Sequence, residues 1–296
     1  MLDLDNNASE NSNLTKREKL LDFYEKIKSC RNCELHKTRI NFVFGSGNSN
    51  AEILFIGEAP GKNEDLQGKP FVGQAGKLLD KLLLLIGFKR NEVFIANVLK
   101  CRPPNNRDPN IFEINTCKQY LFKQIEIINP LIICTMGKYS TQLILETSTG
   151  INKLRGKVLK KGNKIIIPIN HPAAALYTPS RILILEEDFK RLGKIYKKFK
   201  EIQEVKNTTQ LEEIDAIDDI DQIDDIELVK INDKLINSNK TSKNTEEIEK
   251  SERIERTEKP EKPEKLERKE RAKKSEKIEK SEKNEIDFLK LDFKDL

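Results

Sequence analysis

The sequence predicts an α/β fold, a three-layer α/β/α sandwich around a mostly parallel sheet of four strands. Three observations carry that expectation: short β-branched apolar runs, longer stretches with helical apolar spacing, and regular alternation of the two between residues 14 and 200. The runs EILFIG (52–57), EVFIANV (92–98), LIICTMG (131–137) and KIIIPIN (164–170) have the composition and turn-residue borders of strands buried on both faces. Between and after them, residues 74–86, 109–128, 138–147 and 180–200 carry apolar positions three and four apart, as in the stripe Leu78, Leu82, Leu85 and Ile86. Strands that take turns with helices pair in parallel, and right-handed crossovers distribute the helices over both faces.

The rest of the chain reads differently. Residues 1–13 are expected to be a flexible N-terminus, and residues 201–296 a disordered tail, acidic at first and then rich in Lys and Glu. Segments such as IDAIDDIDQIDDIE and EKPEKPEKLERKERAKKSEK bury too little apolar surface to offset chain entropy, and they lack the sustained apolar seam of a coiled coil. Residues 1–200 hold 33 Lys and Arg against 20 Asp and Glu, a net +13, whereas the remainder holds 21 against 29, a net −8. The basic body suits a polyanionic partner. The opposite sign of the tail motivates weak self-shielding, or a tether for an unidentified partner. No apolar run approaches the roughly 18 residues of a membrane span, and no export signal is legible, so the expected location is cytoplasmic.

Five cysteines in such a compartment argue against a disulfide framework and for metal ligation. Cys30 and Cys33 form a CxxC after the first expected helix, and fifteen residues separate Cys101 from Cys117. Four thiolates suit a tetrahedral sulfur site, and spacing leaves zinc and an iron–sulfur cluster both open. Such a site is structural, because four thiolates leave no position for a substrate. Cys134, inside LIICTM, reads as a small core residue.

Ligands of parallel sheets lie beyond the carboxyl ends of the strands, where this chain places GEAPG, NVLKCRPP, GKYS and NHPAAAL. The segment GEAPGKNEDLQGKPFVGQAGKLLD from Gly57, NVLKCRPPNNRDP from Asn97, NHPAAAL from Asn170 and the cysteine pattern together resemble the family-4 uracil-DNA glycosylases, in order over about residues 20–198. The resemblance implies a structural [4Fe-4S] cluster on Cys30, Cys33, Cys101 and Cys117. It also implies a monomeric DNA-repair enzyme that removes uracil from single- and double-stranded DNA and leaves an abasic site. Two other readings stay open: a glycosylase for another damaged base, and an iron–sulfur DNA-binding accessory module without glycosylase activity.

Carried over position by position, the resemblance assigns Phe71 to stack on the flipped base and Asn97 to read it, since a primary amide both donates and accepts. His171 is to donate to the uracil O2. The turn of Gly57, Glu58, Ala59, Pro60 and Gly61 is to line the pocket with amides and carbonyls. Ala59 stands where the better-known branch of these enzymes has a water-orienting Asp, which leaves Glu58 and Glu64 as candidate carboxylates. Asn106 is a candidate for the pocket rim or a DNA contact, and Leu176 or Tyr177 for filling the gap in the duplex. Charge and loop position alone add Arg102, Arg107, Lys153, Arg155 and Lys157 as phosphate contacts. No Lys occupies a motif position suited to a Schiff base, so no strand cleavage is expected.

Overall fold

A computed structural model describes residues 14–209 and 228–230. The expected flexible segment 1–13 and most of the expected disordered tail lie outside the described residues. The sheet contains β1 (Ser46–Gly47), β2 (Ile53–Gly57), β3 (Phe94–Asn97), β4 (Ile132–Met136), β5 (Val158–Lys161), β6 (Lys164–Ile169) and β7 (Leu228–Lys230), in the order β1-β3-β2-β4-β6-β5-β7. The four expected strands form its parallel centre, β3-β2-β4-β6. Their alternate residues face opposite layers, which is why each reads as an unbroken apolar run. Leu54 and Ile56 pack with Leu20 and Phe23 of α1 (Lys16–Ile27) and with Ile114 and Leu121 of α4 (Ile111–Ile128). Ile53 and Phe55 pack with Leu79 and Leu83 of α3 (Gln74–Leu85) and with Leu185 and Phe189 of α7 (Pro179–Thr209). The rings of Phe55 and Phe189 stack at 5.7 Å.

Three further strands, β1, β5 and β7, flank the expected four. β1 pairs antiparallel with β3, and β5 folds back on β6 through the Gly162-Asn163 turn, where Gly162 adopts φ 57°. α7 runs through residue 200 to Thr209, and its Ile195 and Phe199 are buried in the core. Within the span expected to be disordered, β7 pairs in parallel with β5, whose outer edge carries backbone groups open to pairing.

The helix starts carry their own signals. Thr15 and Glu18 form a capping box on α1, and Asn110 and Glu113 form one on α4. The latter box fixes the end of the 101–110 loop, which lies between the cysteines and the mouth of β3. The short α2 (Lys62–Gln67) leads from β2 towards α3, and α5 (Lys138–Leu145) and α6 (Ile151–Leu154) follow β4. Among the described residues no helix is long and apolar enough to cross a membrane.

Candidate active site

Register alone brings the first two site residues together. Gly57 ends β2 directly opposite Asn97, which ends β3. A Cβ at Gly57 would overlap Asn97 Oδ1 and come within 2.6 Å of the Phe71 ring, so only glycine lets these three residues meet. The carbonyls of Gly57 and Glu58 accept from Val98 and Leu99 at 3.0 Å, continuing the sheet ladder. Each of these carbonyls therefore already accepts one hydrogen bond from the sheet.

Phe71 is buried, with φ 51°, a left-handed conformation that costs a phenylalanine roughly 1–2 kcal/mol. Several groups over-determine it. Glu64 Oε1 accepts from the amides of Val72 (2.9 Å) and Gly73 (2.8 Å), at the start of α3. Arg90 donates to the Pro70 carbonyl and to Asp80 Oδ1, the latter at 2.9 Å. Gly76 lies under the Phe71 carbonyl so closely that a Cβ there would overlap its C and O atoms. Glu64, expected as a water-holding carboxylate, is therefore placed first to fix the Phe71 turn. Replacing Gly76 with Ala is expected to push this turn away and lower kcat/KM at least about tenfold, since small misplacements in a site are costly. Single-turnover kinetics beside an unfolding curve would separate that loss from a general loss of stability.

His171 closes the group. Its ring stacks on Phe71 with centroids 5.5 Å apart and planes 28° from parallel. The Ala173 amide donates to Nδ1 at 3.1 Å, so in the neutral ring the proton sits on Nε2. Burial pushes the imidazole pKa down to about 4 against the opposing charge of Glu64, so a neutral donor is the form present near pH 7. Asn97 is 2% exposed, and its Oδ1 is buried without a hydrogen-bond partner. An orphaned acceptor costs about 1–3 kcal/mol, and a bound N–H would remove that cost.

Glu58 is half-buried beside this group. Burial, and then the negative charge of Asp108, push its carboxyl up to about 7, with Lys138 acting in the opposite direction. Tyr139 donates to Asp108 at 3.0 Å. Ala59 is partly buried and Pro60 buried in the same turn. Asn106 lies exposed in the 101–110 loop, where its Oδ1 accepts from Arg102 Nε at 2.7 Å.

Two of the expected phosphate contacts are otherwise engaged. Arg107 makes a two-pronged pair with buried Glu113, at 2.9 and 2.6 Å, and Arg155 pairs with Asp188 at 3.1 and 3.0 Å. Both guanidinium groups thus tie their segments to a buried carboxylate. Lys153 and Lys157 flank Arg155 in the segment around α6. Tyr177 is 92% exposed and Leu176 half-buried on the loop after His171, whose Ala174 carbonyl accepts from Arg181 at 3.1 Å.

Away from this group, Cys30, Cys33, Cys101 and Cys117 line one cavity with Arg39 and Tyr120. Arg39 donates to Cys101 Sγ at 3.2 Å and Tyr120 to Cys30 Sγ at 3.1 Å. Donors aimed at sulfur fit ligating thiolates. Burial raises the thiol pKa of Cys33, Cys101 and Cys117, the last to about 12, so a bound metal would have to draw off those protons. Cys134 sits in the other core layer. Lys100, which lies inside the NVLKCRPP segment but was given no role there, is fully buried between this cavity and Asn97, and burial lowers its pKa to about 8. A lysine in an otherwise apolar VL-C context was the available signal.

Comparison with known proteins identifies the family. A family model described as the uracil DNA glycosylase superfamily matches residues 44–200. The chain is 50% identical over 190 residues to the type-4 uracil-DNA glycosylase of Archaeoglobus fulgidus, covering 61% of this chain and 95% of that one. It is 50% identical over 188 residues to the Sulfurisphaera tokodaii protein of the same name, covering 59% and 86%, and 51% identical over 177 residues to that of Saccharolobus solfataricus, covering 57% and 82%. A matched superfamily, three relatives covered over most of their length, and the junction of Gly57, Phe71, Asn97 and His171 lead to one assignment: the chain belongs to the type-4 uracil-DNA glycosylases.

Proposed function

We propose that the protein excises uracil from single- and double-stranded DNA by hydrolysing its N-glycosidic bond, leaving an abasic site and an unbroken strand. The carrying observation is the orphaned Asn97 Oδ1, buried where the Phe71 ring and His171 converge. A base inside a duplex is out of reach, so the nucleotide must swing out into this pocket. There the Asn97 amide accepts from uracil N3–H and donates to O4, while cytosine presents the reverse pair. Phe71 supplies a flat apolar face for the ring.

Bond cleavage is the heterolysis of C1′–N1, with both electrons passing to uracil and spreading onto O2. His171 Nε2–H donates to that developing anion, and a neutral imidazole suffices because the base needs a positioned donor more than a proton. The sugar cation is balanced by the Glu58 carboxylate and captured by water, which releases its proton. Glu64 contributes by holding the Phe71 turn. The exposed Tyr177 and its neighbour Leu176 fill the gap left in the duplex, and Arg102 with Asn106 sits at the rim.

Cys30, Cys33, Cys101 and Cys117 would hold a [4Fe-4S] cluster. All four cysteines line one cavity, with Arg39 and Tyr120 donating to two of their sulfurs, and the membership of the type-4 family favours a cluster over a single zinc there. The group's chemistry there is structural, tying α1 to the 101–110 loop and α4. The purified protein is expected to be brown with absorbance at about 400 nm, and a colourless protein containing zinc would overturn this reading.

The activity itself is tested on an oligonucleotide with one uracil, treated with the protein and then with hot alkali. A break at the uracil only after alkali is the expected result. An intact strand overturns the glycosylase reading, and a break before alkali overturns the monofunctional one.

A further inference from the structure

Lys100 is 0% exposed, an unusual place for an ammonium when Met or Leu would fill the same space without desolvating a charge. Its Nζ donates to the main-chain carbonyl of Asn97 at 2.9 Å and to Gln124 Oε1 at 2.6 Å. Gln124, also 0% exposed, is itself held by donating to the Phe44 carbonyl at 3.0 Å. Both acceptors are neutral. The Lys100 main-chain N–H points at the Cys117 sulfur, and Lys100 directly precedes Cys101 in the chain. One residue thus touches the peptide of the base-reading amide at one end and the cysteine cavity at the other.

We infer that Lys100 is a positioning residue, which fixes the Asn97 peptide against the cysteine site and so sets the pose in which the Asn97 amide meets the base. The inference rests on the proposed reading of Asn97. Asn97 Oδ1 has no protein partner, so its side chain is oriented by its own backbone and by contact with Gly57, and the Lys100 bond is what pins that backbone from behind.

The test is Lys100→Met in the full-length protein. On a uracil oligonucleotide kcat/KM is expected to fall about 10- to 100-fold, the order of loss that follows from misplacing one group by about an ångström. The inhibition constant of free uracil should rise by a similar factor, and affinity for DNA already containing an abasic site should stay within about twofold, since no base then meets Asn97. Gln124→Met, which frees the ammonium to swing, should show the same pattern at about three- to tenfold, and it decides the matter if Lys100→Met does not fold. Unchanged uracil inhibition in the deciding variant overturns the inference. So does an equal loss of abasic-site binding, which would make Lys100 merely structural. Wild-type protein assayed in parallel separates the two levels: if it cuts no uracil, the reading of the site fails and this inference with it.

Discussion

Asn97→Asp is expected to lower kcat/KM on uracil-containing DNA by on the order of 10³-fold, and to raise the ratio of cytosine to uracil excision. A site built to pair with a polar edge loses this much when a partner is removed, because the groups left behind are buried and cannot turn to water. Asn97 is 2% exposed, and its Oδ1 is buried without a hydrogen-bond partner. An ionised carboxylate keeps the acceptor for N3–H but replaces the donor to O4 with a second negative oxygen. Cytosine, which presents an amino group at that edge, gains what uracil loses. Once protonated, the introduced carboxyl would again donate and accept, so the deficit on uracil should shrink as the pH falls. Initial rates on matched uracil and cytosine oligonucleotides at several pH values check all three statements. An unchanged preference for uracil would show that Asn97 shapes the turn and does not read the base.

The legibility of this site in the sequence followed the range over which each signal acts. Strands buried on both faces announce themselves as apolar runs, so the parallel centre and its carboxyl ends were accessible from composition, and the motifs placed there named Phe71, Asn97 and His171. The flanking β1 and β5 were not accessible: β1 is two residues long, and VLKK alternates too briefly to register. Contacts between distant segments were equally hidden. Lys100 finds Gln124 and the Asn97 carbonyl only after α4 has folded across β3, and nothing local marks Arg155 as the partner of Asp188. Gly76 carried a weak cue, a glycine inside a leucine-rich helix, but its reason lies in the Phe71 carbonyl above it. Glu64 was recognised as functional through its motif, while the geometry assigns it to the amides of Val72 and Gly73. Motif matching identifies which residues matter more readily than it identifies what they hold.

His171→Leu keeps an apolar ring-sized neighbour for Phe71 but deletes the donor to O2, and kcat is expected to fall about 10²- to 10³-fold with little change in KM, the signature of a bond that strengthens as charge develops. The pH profile distinguishes this donor from a titrating acid. Burial holds the His171 pKa down to about 4, so the ring is neutral on both sides of pH 7 and contributes no slope from about pH 5 upwards. Glu58, raised to about 7 by burial and by Asp108, does titrate in that range, and its ionised form is the one that balances the sugar cation. Log kcat/KM should therefore be level above about pH 8 and fall with a slope near one below about pH 7, as protonation removes the carboxylate. His171→Leu should lower the whole curve and keep its acid limb, whereas Glu58→Gln should flatten that limb. If the limb disappears with His171 instead, the imidazole is a proton-transfer group and the neutral-donor mechanism is wrong, because a ring that never ionises in this range cannot shape the curve.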